Sequence, residues 1–123
     1  MIIPVECKNG AIRQTISKDD CNQLSGSMNW FWEKYDSACT GIPIIVHPYN
    51  QVDGRASPYS GMLVINREKL ENLKAGILNF GKAIVSSGDF SNYNRINKLL
   101  LRNNLTLSTF LTAYTVKYLI KNT

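Results

Sequence analysis

The chain has one histidine, His47, and in sequence it stands near Cys39 and Asp53, the three residue types of a Cys-His-Asp hydrolase. Such chemistry needs a thiolate, a base within about 3 Å of it, and a carboxylate that orients the base. Cys39 argues against it. The residue falls near the expected C-terminal end of a helix, where the negative end of the helix dipole raises a thiol pKa. His47, at a strand end, reads as a satisfied structural residue. Metal chemistry fares no better: Cys7, Cys21 and Cys39 are 14 and 18 residues apart, form no Cys-x-x-Cys, and have a single histidine to join them. No Gly-rich phosphate loop, His-x-x-x-His pair or paired-carboxylate cluster occurs. No catalytic residue, metal or cofactor is therefore assigned, and the balance leans away from an enzyme.

Recognition chemistry is better represented. Between His47 and Ser60 the sequence gathers Tyr49, Asn50, Asp53, Arg55, Ser57 and Tyr59, hydrogen bonders and aromatics of the kind that make interface contacts. Tyr49, Arg55 and Tyr59 are its candidate partner-binding residues. The alternative is a turn-rich connection in which Asp53-Gly54 and Ser57-Pro58 are ordinary turn chemistry. Trp30 and Trp32 lie two apart on the expected helix, so both cannot face the core centre, and one is a candidate anchor for a partner or for a second copy.

Charge supplies a second candidate surface. Residues 1–66 hold five Lys/Arg against six Asp/Glu, whereas residues 67–123 hold nine against three, a net +6. A basic half of this kind attracts polyanions or acidic protein faces. Arg95, Lys98, Arg102, Lys117 and Lys121 are the candidate phosphate contacts, on expected helices 91–103 and 107–121 joined by a short polar turn. Resemblance to a helix-turn-helix is only geometric. The second helix opens with Thr106, Ser108, Thr109 and Thr112 and offers no early Arg, Asn or Gln for bidentate base readout. Phosphate contacts without sequence reading are what remains, against a solvated basic face on ordinary helices.

The elements that must position these residues follow from periodicity. Asn9-Gly10 suits a type I′ turn, and apolar alternation on either side predicts an antiparallel hairpin with Ile3, Val5, Cys7, Ile12 and Ile16 on one face and Glu6 paired to Arg13 on the other. Pro4 makes its strand an edge. Ser17 and Asp20 form a capping-box spacing, and Cys21, Leu24, Met28, Phe31, Tyr35 and Ala38 repeat at helical intervals up to Gly41. Gly26 allows that helix to be two shorter ones. Ile42–His47 and Gly61–Ile65 read as a second strand pair around the long 47–60 connection. Leu70, Leu73, Ile77, Phe80 and Ile84 mark the next helix, with Gly76 and Gly81 either weakening it or admitting a close neighbour. Asp89 or Ser91 caps the third helix, and Thr106 or Ser108 the fourth.

The expected fold is thus a single α+β domain over residues 1–123: a small antiparallel sheet, one long helix and a C-terminal three-helix set, in the order ββαββααα. No apolar run approaches the roughly 18 residues of a membrane span. The N-terminus carries no basic region followed by an apolar stretch, so a cytoplasmic protein with free thiols is expected. The leading functional expectation is a non-catalytic intracellular interaction module, an adaptor, regulatory or accessory protein. The alternative is a phosphate-contacting nucleic-acid binder, and self-association is open to either.

Overall fold

The computed structural model describes residues 5–7, 15–35, 41–88 and 90–121. Its element order is β1 (Val5–Cys7), α1 (Lys18–Tyr35), β2 (Ile44–Val46), β3 (Gln51–Asp53), β4 (Leu63–Ile65), α2 (Arg67–Ser87), α3 (Tyr93–Arg102), α4 (Leu107–Tyr114), β5 (Val116–Lys117) and β6 (Leu119–Lys121). The architecture is mixed α+β, and the chain forms two compact units: residues 1–67 with 116–123, and residues 68–115.

The first unit carries all the described strands. One sheet has the order β1-β2-β4-β5, and a two-stranded sheet pairs β3 with β6. The expected sheet was antiparallel, but among the described strands only β4 and β5 pair that way, Leu63 opposite Lys117 and Val64 opposite Val116. β1 runs parallel to β2, with Val5 opposite Ile44 and Cys7 opposite Val46. β2 runs parallel to β4, with Ile44 opposite Leu63 and Val46 opposite Ile65. The reason lies in the connections. A parallel pair needs a crossover of about a dozen residues or more, and both α1 and the 47–62 segment supply one. The Asn9-Gly10 turn and the second hairpin arm lie outside the described residues, apart from its end at Ile16, which bridges Val52 in parallel. Among the described strands β1 lies at the sheet edge, and its Val5 is about half exposed.

α1 forms for the expected reasons. Asp20 N–H donates to Ser17 Oγ at 3.1 Å, and Ser17 N–H donates to Asp20 Oδ2 at 3.3 Å, a reciprocal capping box. The helix runs unbroken through Gly26 and buries Cys21, Leu24, Met28 and Phe31, the predicted stripe as far as Phe31. Tyr35 is exposed, and Ala38 lies outside the described residues. Cys21 and Leu24 join Ile16, Ile45, Val52, Met62 and Val64 in one apolar cluster, with Ala56, Val116 and Tyr118 packed on it. Alternating sides of two short sheets and one helix face thereby share a core.

The second unit is α2, α3 and α4. Asn92, one residue past the expected Ser91, caps α3 by accepting from Arg95 N–H at 3.2 Å. The Asn103-Asn104 break falls as predicted, with Asn104 at φ 57°. Thr106 is the N-cap of α4. The Tyr114 hydroxyl donates to the Asn103 carbonyl and lies over Gly76, where a Cβ would collide with it. Gly76 therefore admits a close neighbour, one of the two roles its position suggested. α4 stops at Tyr114 rather than reaching residue 121. Thr115 is already extended (φ −126°, ψ 158°), and the β-branched and aromatic run that follows enters strands β5 and β6.

Candidate interaction surface

The 47–60 connection is not a free loop. It contains β3, whose Gln51, Val52 and Asp53 pair in parallel with Leu119, Ile120 and Lys121. On its other side Ile16 N–H donates to the Gln51 carbonyl at 2.7 Å, and Asp53 N–H donates to the Ile16 carbonyl at 2.9 Å. Leu119 N–H donates to the Asn50 carbonyl at 2.9 Å, and Asn50 Nδ2 donates to the Lys117 carbonyl at 3.2 Å. Val52 is fully buried, which explains why an apolar residue sits amid so polar a stretch.

The three sequence-predicted contacts take different places on this frame. Tyr49 is exposed, with its ring 6.3 Å from that of His47. Arg55 projects from the turn after β3 and forks onto Asp53, Nη2 to Oδ2 at 2.9 Å and Nε to Oδ1 at 3.2 Å. That pairing raises the guanidinium pKa still further above its ordinary value, so Arg55 is a permanent cation. Tyr59 is half-buried, and its hydroxyl accepts from Trp32 Nε1 at 3.0 Å. Trp32 thus ties the end of the connection to α1. Trp30, the other tryptophan, is 59% exposed and meets only the edge of Tyr35 among the ring contacts of the described residues.

The five candidate phosphate contacts do not fall on a pair of helices. Arg95, Lys98 and Arg102 are on α3 in the second unit, whereas Lys117 and Lys121 are on β5 and β6 in the first. Arg95 is half-buried and directs Nη2 toward the Ala83 carbonyl at 3.5 Å. Lys121 instead shares a cleft with a residue from the other candidate set. With Arg55, Thr15, Asp53 and Gly54 it lines a shallow cleft of about 200 Å³ at the joined ends of β3 and β6.

The hydrolase constellation is not assembled by the residues described. His47 is buried, 2% exposed. With the ring neutral and its proton on Nε2, Nδ1 accepts from Tyr49 N–H at 3.0 Å. Burial pushes the imidazole pKa below its ordinary 6.5, partly opposed by the Tyr49 carbonyl, 3.1 Å from Nδ1 and able to accept from a protonated ring, and by the charge of Asp20. Asp53, the proposed orienting carboxylate, is taken by Arg55. Cys39 lies outside the described residues. Of the other thiols, Cys7 is exposed, against the expectation of burial, its strand lying at the edge of the sheet among the described residues. Cys21 is buried, and burial together with Asp20 and Asp53 raises its pKa to about 11, which leaves it a protonated core residue. No group of three metal-ligating side chains occurs among the described residues. None of the described helices is long and apolar enough to cross a membrane.

One surface escaped the sequence reading. Ile77, expected in the buried stripe of α2, is 52% exposed, and Leu78 and Val85 are exposed beside it. Gly76 is the buried residue of that helix, so the face that meets α3 and α4 is rotated toward it. The available signal was the pair Leu78 and Val85, apolar residues lying off a stripe that was already complete without them. Compared with protein-family models, curated proteins and solved structures, the chain matches none.

Proposed function

We propose that the chain is a non-catalytic protein-interaction module, of adaptor, regulatory or accessory type, which meets a protein partner through its 47–60 connection. The observation that carries this reading is the combination of anchoring and exposure in one segment. β3 is held on both sides by backbone hydrogen bonds, Trp32 holds Tyr59, and Asp53 holds Arg55, while Tyr49 and Arg55 still face solvent. Side chains fixed before contact lose little entropy on binding, and Tyr and Arg are the residue types that dominate binding energy when buried by a partner. Tyr59 serves the same surface by holding the connection in place.

Immobilised chain and quantitative capture of cellular proteins test the proposal. The Tyr49→Ala, Arg55→Ala double variant is expected to lose specific partners by at least about tenfold, in line with hot-spot truncation, and Lys98→Ala to keep them. An unchanged set of captured proteins, with the far-UV circular dichroism of the variant intact, would refute the loop as a docking element.

A further inference from the structure

The exposed face of α2 forms a groove wholly within the second unit, lined by Ile77, Leu78, Gly81, Lys82, Val85 and Ser86. Ile77, Gly81 and Val85 follow one another at intervals of four, the row along which helix surfaces form ridges and grooves. Gly81 is the notch in that row. A Cβ built there would meet nothing within 4 Å, so the space above it is open. Large apolar side chains stand on both sides, Ile77 and Leu78 one turn before it and Val85 one turn after, each more than half exposed. A notch between apolar walls on a helix is shaped to receive the side chains of a second helix crossing it.

Charge selects among second helices. Lys74 is paired with Glu71 at 3.6 Å, and from Asn72 to Gly88 the one further charged residue is Lys82. Lys82 itself borders the groove. A second copy of this chain, crossing at Gly81 about a two-fold axis, would bring its own Lys82 against the first and oppose cation to cation. We propose that this groove binds an amphipathic α-helix of a protein partner, its apolar row seated on Gly81 and its flanks acidic against Lys82. The inference is independent of the 47–60 connection: it concerns another surface in the other unit.

Fluorescence anisotropy with the full chain provides the test. The probe is a labelled helical peptide of about 18 residues, with leucines at helical spacing on one face and glutamates on its flanks. Its twin carries lysines in place of the glutamates. The acidic peptide is expected to bind with a Kd on the order of tens of micromolar and the basic twin at least about tenfold more weakly. Gly81→Leu, which fills the notch, and Lys82→Glu, which reverses its rim, are each expected to weaken the acidic peptide about fivefold or more. Both positions are at the open surface, so circular dichroism should show an unchanged fold. Tyr49→Ala with Arg55→Ala should leave the affinity as it was, so failure of the loop proposal would not mimic failure of this one. Absence of acidic-peptide binding, equal binding of the two peptides, or indifference to both α2 variants overturns the inference. So does a dimer in sedimentation velocity that Gly81→Leu dissolves, since the occupant would then be a second copy.

Discussion

His47 shows how one buried side chain couples local geometry to the behaviour of the whole first unit. Its ring is closed off from solvent and its backbone N–H donates to the Ile65 carbonyl at 3.1 Å, so the residue fixes the end of β2 against β4. The neutral ring accepts the Tyr49 N–H, and charging it would bury a cation. Because the folded-state pKa lies below the ordinary 6.5, the unfolded chain binds the proton first as pH falls. Stability from this residue is complete above the unfolded pKa and is lost as pH drops below about 6.5 toward the folded value. The melting temperature should therefore decline between pH 7 and pH 5.5 or so, and His47→Asn, which keeps an acceptor near Nδ1 without titrating, should flatten that part of the profile. An unaltered slope in the variant would assign the pH dependence to other groups. The same geometry commits Nδ1 and the backbone N–H of His47 to bonds within the first unit.

Among the elements, α1 and α4 mark the boundary between what local sequence determines and what it does not. The start of α1 is set within four residues by the reciprocal Ser17 and Asp20 bonds, and its buried row follows a 3.6-residue period. Ser17→Ala is expected to lower stability by about 1 kcal/mol in urea titration, with the midpoint shifted and the slope retained. A null effect would mean that packing of Cys21, Leu24, Met28 and Phe31 alone sets the helix start. Beyond Tyr114 the expected helix gives way to strand: Tyr114, Tyr118 and their neighbours fit a helical period as well as a short strand, an ambiguity that periodicity cannot resolve in so short a run. The strand assignment comes from partners distant in the chain, Leu63 and Val64 for β5 and Gln51 to Asp53 for β6. Parallel pairing was likewise invisible, since alternation of apolar residues is the same in either direction. The candidate site divides in the same way. Tyr49 and Arg55 were legible from residue type in a long connection, whereas the Trp32 bond to Tyr59 and the placing of Arg55 and Lys121 on one cleft depend on folding. Exposure of Ile77 followed from Gly76 taking the buried position, a choice made by Tyr114 from another helix.

At the scale of the whole molecule, the first unit is closed by the last strands of the chain, after the intervening helices of the second unit have been completed. Val116 returns to pair with Val64, and Leu119 to Lys121 return to pair with β3, so these contacts span more than fifty residues of sequence. Closure over such distances costs loop entropy and is recovered only when the returning strand fits its place. Gly54 is where that fit is tightest. A Cβ there would sit 2.6 Å from the Lys121 carbonyl oxygen, a backbone atom that cannot turn aside. Gly54→Ala should therefore push β6 away from β3 and destabilise the protein by about 1–3 kcal/mol, the usual range for an overpacked position. Its backbone is not in the positive-φ region, so the penalty arises from the contact rather than from the turn. A double-mutant cycle separates the two. In a chain ending at Tyr118 the Lys121 carbonyl is gone, and the same substitution should be neutral or slightly stabilising, because alanine restricts the unfolded chain more than glycine does. If Gly54→Ala cost the same in both backgrounds, the C-terminal strand would not be what holds the end of β3, and the position of Arg55 beside Lys121 would need another cause.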